Sequence, residues 1–209
     1  MTDLLKHITW LGHDAFCIQG SKVVYFDPFK IKGGRPADLI LISHDHFDHC
    51  SPEDVARIQG DRTVIVTEKD SAKKLSGDVR IVAPGDRATI GGLVVEAVPA
   101  YNTDKKFHPR ANGWLGFIVE IDGVRIYHAG DTDVIPEMAE IKADIALLPV
   151  SGTYVMTAAQ AAQAALMIKP KVVIPMHFGA IVGSDEDARQ LKTALHGKIE
   201  VQILPRKNQ

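Results

Sequence analysis

Short apolar runs rich in β-branched residues punctuate this chain at close intervals. Residues 8–11, 15–19 and 22–26 read as strands, and Gln19-Gly20-Ser21 supplies a hairpin turn between the second and the third. Asp38-Leu39-Ile40-Leu41-Ile42-Ser43 is apolar without alternation, the mark of a strand buried on both faces. Further strands are predicted at 63–66, 79–82, 93–98, 114–121, 124–127, 145–150, 171–175 and 199–204. Asp122-Gly123 is the type of turn that joins 114–121 to 124–127 as a hairpin.

Helical signals appear between some of these strands. Ser51-Pro52-Glu53-Asp54 opens one helix, with Ser51 as cap, Pro52 in the first turn and Asp54 closing a capping box in place of Glu. Residues 157–168 are rich in Ala and stopped by Lys169-Pro170. Residues 184–195 end at His196-Gly197, while 67–75 and 136–141 are weaker helical segments. A strand-rich opening followed by mixed elements excludes pure βαβ alternation and favours sheets covered by helices on their outer faces. Residues 99–113 are the longest stretch without periodicity, and a loop of that length in a compact domain is often functional.

Composition narrows the class. A length of 209 residues suits one domain spanning 1–209 with a full core. Hydrophobic residues at 45% and charged residues at 24% are the balance of a soluble globular protein. A net charge of -2 with no basic run argues against nucleic-acid partners. Cys17 and Cys50 lie far apart and outside any CxxC motif, so no disulfide framework is expected. No apolar run is long enough to span a membrane and no signal-peptide pattern opens the chain, so the expected setting is the cytoplasm. The expected partner is a small-molecule substrate, and a homo-oligomer stays open.

The chemistry concentrates in His44-Asp45-His46-Phe47-Asp48-His49, directly after the buried strand and directly before the helix opening at Ser51. In an extended segment residues two apart point the same way, so His44 and His46 can grip one ion. The turn that follows brings Asp48 and His49 to a second ion or to the other side of the first. Imidazole and carboxylate suit zinc, manganese or iron. Asp45 and Phe47 alternate with these ligands and face away.

This HxHxDH segment resembles the signature of the metallo-β-lactamase superfamily. Gly130-Asp131-Thr132 after a strand resembles its bridging-aspartate motif, and Ile174-Pro175-Met176-His177 its final ligand motif. Leu11-Gly12-His13-Asp14-Ala15 and Phe26-Asp27-Pro28-Phe29 resemble a narrower branch of bacterial metal-dependent hydrolases. That branch includes ascorbate-6-phosphate lactonase and relatives of N-acyl phosphatidylethanolamine phospholipase D. The resemblance runs over nearly the whole chain and is far more specific for the superfamily than for any substrate.

The resemblance implies an α+β fold, a four-layer αββα sandwich of two mixed sheets flanked by helices. It implies two divalent ions, zinc foremost, with manganese or iron as alternatives. His44 and His46 would bind the first ion, Asp48 and His49 the second. Asp131 would bridge them and His177 would complete the second site. Many relatives supply a third histidine to the first site from a strand end that here reads Ala100-Tyr101-Asn102. His108, in the long loop, is the nearest candidate, set against an exposed loop histidine. His13 stands as an active-site wall or substrate contact, set against a structural histidine. His128 lies three residues before Asp131, which places it in the core or behind the ligands. His196 reads as a helix-dipole partner, and His7 has no supporting context. Cys50 reads as a small core residue, and Asp27 either lines the site or belongs to a turn. Tyr154 reads first as part of a loop.

The implied activity is hydrolysis of an ester, lactone or phosphodiester by metal-activated water, with Asp48 and His13 as catalytic groups. Lys and Arg in the loops 30–35 and 105–110 would either hold an anionic group of the substrate or be simply solvated. A non-haem di-iron redox or sensing protein is the alternative on the same fold.

Overall fold

The computed structural model describes residues 2–207. Its first sheet has six strands in the order β1 to β6: Ile8–Gly12, Ala15–Gln19, Val23–Phe26, Leu39–Leu41, Val64–Thr67 and Asp78–Ile81. The β1–β2 and β2–β3 pairs are antiparallel and the rest of the sheet is parallel. The second sheet has seven strands in the order β13-β12-β11-β10-β9-β8-β7. Here β7 (Arg87–Ile90), β8 (Leu93–Pro99), β9 (Leu115–Ile121) and β10 (Val124–His128) form an antiparallel meander. Strand β10 then pairs in parallel with β11 (Ile145–Pro149), followed by β12 (Val172–Met176) and β13 (Glu200–Val201).

Strand alternation explains the layers. In β3, Val24 and Phe26 join the large core shared with the second sheet, while Val23 and Tyr25 join a smaller cluster on the opposite face. In β4, Leu39 and Leu41 face the large core and Ile40 the smaller one, which is why this strand is apolar at every position. After the short helix α1 (Thr2–Leu5), helix α2 (Pro52–Ile58) closes the smaller cluster with Val55 and Ile58. Helix α4 (Ala158–Ile168) buries Ala158, Ala161, Ala162, Ala164, Ala165 and Ile168, and α5 (Asp185–Ala194) buries Ala188 and Leu191. Small side chains let α4 approach the sheet closely. The result is the expected α+β arrangement of two mixed sheets flanked by helices.

Helix caps follow the sequence signals with one change. Thr157 and Ser184 each start a helix through a capping box with Gln160 and Asp187. Ser51 caps α2, but Asp54 does not return to the Ser51 backbone. Its carboxylate instead accepts from the Lys30 and Ile31 amides, at 2.8 and 3.1 Å, and from Ser51 Oγ. Tertiary amides outcompete the local box, and α2 is thereby tied to the loop after β3.

Other boundaries moved. The 67–75 segment holds only the short α3 (Lys69–Ala72), and Pro136–Glu140 is a 3-10 turn. The run 199–204 pairs over two residues only. Arg87–Ile90 is a strand that the pattern did not predict, because most of it is exposed on the outer edge of the second sheet. Among the described residues no helix is long and apolar enough to cross a membrane.

Candidate metal centre

The segments singled out in the sequence meet at the carboxyl ends of β4, β10 and β12. The loop 43–50 follows β4, Asp131 follows β10 and His177 follows β12 directly. Loops after β1 and β3 add His13, Asp14 and Asp27. Three of these residues adopt left-handed backbone, with φ of 50° at His13, 38° at Asp27 and 59° at His177. Such strain in residues other than glycine persists only where the surroundings impose it, and here it turns side chains inward at strand ends. Gly130 makes the close approach possible: its φ is +62°, and a Cβ there would lie 2.5 Å from the Leu115 carbonyl oxygen.

Ligand atoms of His44, His46 and His108 lie within 4.8 Å of one another, an all-imidazole group. Trp114 packs against all three rings, with centroid distances of 4.7, 4.7 and 5.4 Å. His108 is buried, not an exposed loop histidine. Asn102 clamps it: the Asn102 amide donates to the His108 carbonyl at 2.7 Å, and Asn102 Oδ1 accepts from the His108 amide at 3.0 Å and from Nδ1 at 3.1 Å. A proton on Nδ1 leaves the Nε2 lone pair free, 3.1 Å from Asp131 Oδ2.

A second set surrounds the other side of Asp131. His13, His49 and His177 form one group, Asp14, Asp131 and His177 another, and His44, His49 and Asp131 a third. His49 Nδ1 donates to Asp27 Oδ2 at 2.8 Å, so its Nε2 lone pair points at Asp131 Oδ1, 3.4 Å away. His177 Nε2 lies 3.3 Å from Asp131 Oδ2, with Ser151 Oγ on its Nδ1 at 2.8 Å. Asp131 therefore touches imidazoles of both sets.

The fit to a metal can be judged from the buried atoms alone. His49 Nε2, His108 Nε2, His177 Nε2 and Asp131 Oδ1 are all buried without a hydrogen-bond partner. Lone pairs of His49 and His108 face a carboxylate that is itself only an acceptor. Such an arrangement is costly unless a cation or extra protons lie between them. Burial disfavours charge on His49, yet the adjoining Asp131 and Asp27 carboxylates outweigh it and raise its pKa well above the ordinary value. Burial likewise opposes the charge of Asp131, and His177 and His49 outweigh it and lower its pKa. Where these imidazoles take up protons, a divalent cation would take their place. The donor set fits such an ion.

Asp48 joins none of these groups among the described residues. Its carboxylate pairs with His13 Nε2 at 3.1 Å and keeps 14% exposure, whereas His13 is 1% exposed. Burial pushes the His13 pKa down to about 4 despite Asp48, so the ring is neutral near pH 7. Burial opposes ionisation of Asp48, but the hydrogen bond from His13 wins and lowers its pKa. His13 Nε2–H thus donates to an ionised Asp48.

Several supporting residues were weak or silent in the sequence. Asp27 takes the Ser43 amide at 2.7 Å, Ser43 Oγ at 2.6 Å and His49 Nδ1, so it lines the site from behind. In metal-free protein, Asp27→Asn is expected to lower the unfolding free energy by about 2–4 kcal/mol, because buried charge-assisted bonds are broken. Urea denaturation followed by circular dichroism measures this, and a loss below about 0.5 kcal/mol would remove Asp27 from that role. His128 is core, stacked on Phe26 at 4.9 Å with 3° between the rings. Lys105 and Arg110 are engaged in ion pairs with Asp133 and Glu137, which hold the 99–113 loop. Tyr154 packs edge-on against Phe107 at 4.7 Å, beside His108. Cys17 and Cys50 are free and buried. Trp114, Asn102 and Ser151 had no sequence signal as site residues, and Asp14 stood only as a member of the Gly12-His13-Asp14-Ala15 motif.

Comparison with known proteins agrees with this geometry. Residues 7–177 match the family described as the beta-lactamase superfamily domain. The chain is 36% identical to the UPF0173 metal-dependent hydrolase of Thermococcus kodakarensis, over 94% of this chain and 95% of that protein. Among solved structures, one assigned to a metal-dependent hydrolase of Parabacteroides distasonis is 38% identical, with a TM-score of 0.84 over 94% of this chain and 91% of that one. A metallo hydrolase of Ignicoccus hospitalis is 25% identical, with a TM-score of 0.75 over 95% and 94% of the two chains. The chain belongs to the metallo-β-lactamase superfamily, as a member of its metal-dependent hydrolases.

Proposed function

We propose that this protein hydrolyses an ester, lactone or phosphodiester of a small substrate, using two divalent ions, zinc foremost. The observation that carries this reading is the convergence of unpartnered imidazole nitrogens on Asp131. His44, His46 and His108 would hold one ion, and His49 and His177 the other, with Asp131 shared between them. When bound, such a pair would supply an activated water and polarise the scissile carbonyl or phosphoryl group. The chain's own residues do the rest. Trp114 and Asn102 fix the imidazoles of the first group, and Asp27 and Ser151 fix those of the second. Asp48, ionised and partly open to solvent, accepts the proton released by the attacking water and returns it to the leaving group. His13 orients that carboxylate through its Nε2–H. Exposed Lys30, Lys32 and Lys106 are available for an anionic part of the substrate.

The test is a panel of aryl esters, lactones and bis-aryl phosphodiesters with zinc- or manganese-loaded protein. Turnover in at least one class is expected, abolished by chelator and restored by the ion. Absence of hydrolysis in every class, together with bound iron and a visible absorption band, would replace this reading with the di-iron redox one.

A further inference from the structure

Asp14 is a buried carboxylate at this site that has no task in the mechanism above. It is fully buried, and neither carboxylate oxygen has a hydrogen-bond partner. Among the described residues its ion pair is a long one, with Oδ2 3.9 Å from His49 Nδ1. A carboxylate removed from water without a donor is among the costliest groups a fold can bury, so a proton or a cation must balance it. What surrounds it is the metal centre. A carboxylate oxygen of Asp14 lies within 4.8 Å of donor atoms of both Asp131 and His177, and on the other side Asp14 borders Asp27 and the Nδ1 edge of His49.

The position is built from both sheets. His128 Nδ1 accepts from the Gly130 amide at 3.2 Å, which leaves the ring proton on Nε2, and Nε2 donates to the Asp14 carbonyl at 2.9 Å. One buried ring therefore ties the turn that carries Asp14 to the turn that carries Asp131. The His177 amide donates to the carbonyl of His13 at 3.2 Å, joining the third ligand turn to the same corner. Three strand ends are cross-linked so that Asp14, Asp131 and His177 stay together.

We propose that Asp14 is a carboxylate ligand of the second cation, beside His49, His177 and Asp131, and that it gives this position a preference for Mn2+ or Fe2+ over Zn2+. This rests on the two-ion reading above. Three imidazoles at the first position suit zinc, whereas added carboxylate oxygen shifts the second toward harder ions. Two carboxylates also neutralise a divalent ion in a corner whose side chains are all buried, where one would leave a net positive charge.

Metal-free wild type and Asp14→Asn, which keeps the shape and removes the charge, are loaded with Zn2+ alone, Mn2+ alone or both. Bound metal per chain is read after desalting, affinity by chelator competition, and Mn2+ also by electron paramagnetic resonance. The expected result is one Zn2+ and one Mn2+ per wild-type chain from the mixture. Asp14→Asn should keep the zinc and lose at least about tenfold in Mn2+ affinity. Unchanged Mn2+ affinity in a folded Asp14→Asn protein overturns the assignment and leaves the two-ion reading intact. Wild type that binds neither ion overturns both. Should Asp14→Asn not fold, anomalous scattering from Mn2+-soaked wild-type crystals decides. An Asp14 oxygen about 2.0–2.2 Å from the ion supports the ligand, and a distance beyond about 3 Å overturns it.

Discussion

Replacing Asp48 with alanine is expected to lower kcat of the metal-loaded protein by about 10²–10⁴-fold, with circular dichroism and metal content close to wild type. The size follows from the loss of a general base. The selectivity follows from where Asp48 sits. Its carboxylate is paired with His13 Nε2 at 3.1 Å and belongs to none of the donor groups among the described residues. It also retains contact with solvent, whereas Asp27 and Asp131 are buried. Asp48→Asn should lose as much activity, since an amide keeps the shape and cannot take the proton. Metal analysis beside kinetics separates the two roles that the HxHxDH motif implies for this residue. Metal loss in step with activity would make Asp48 chiefly a ligand. Wild-type turnover in the loaded variant would remove it from catalysis.

His108→Ala is expected to lower metal affinity at the first position by at least about tenfold and to loosen the loop around it. Two imidazoles, His44 and His46, make an open and weak site, and His108 is the third donor within their reach. Its Nε2 has no hydrogen-bond partner, while Asn102 already holds Nδ1, so the ring is oriented for a ligand before one arrives. The loop depends on that ring: Asn102 spends its side-chain oxygen on His108, and Phe107 packs against Tyr154. Chelator titration reads the metal and hydrogen exchange over residues 103–110 reads the loop. Unchanged stoichiometry and affinity across the chelator series would show that the first position is completed without His108.

Much of the fold was legible because burial writes itself into short periods. The unbroken apolar run of β4 announced a strand covered on both faces, and the β9–β10 hairpin was marked by Asp122-Gly123, both at positive φ. Legibility failed where local chemistry was overruled. Asp54 had the spacing of a capping box, yet the amides of Lys30 and Ile31 claim its carboxylate. Arg87–Ile90 has little apolar signal because an edge strand with exposed faces needs little.

The metal centre divides in the same way. Spacing along one strand and its turn was enough to mark His44, His46 and His49, because residues two apart in extended chain share a direction whatever the rest of the molecule does. Asp131 and His177 were marked by motif context at strand ends. The pairing of His13 with Asp48, the bond from His49 to Asp27 and the approach of Asp14 to Asp131 were decided only by tertiary structure. Each joins turns far apart in the chain. Their meeting depends on how two twisted sheets stack and which strand ends come level, and no local period encodes that. The unpartnered state of Asp14 is a property of that stacking alone: beside His13 in the sequence it is one more turn residue, and in the packed corner it is a buried carboxyl group without a donor, close to Asp131 and His177.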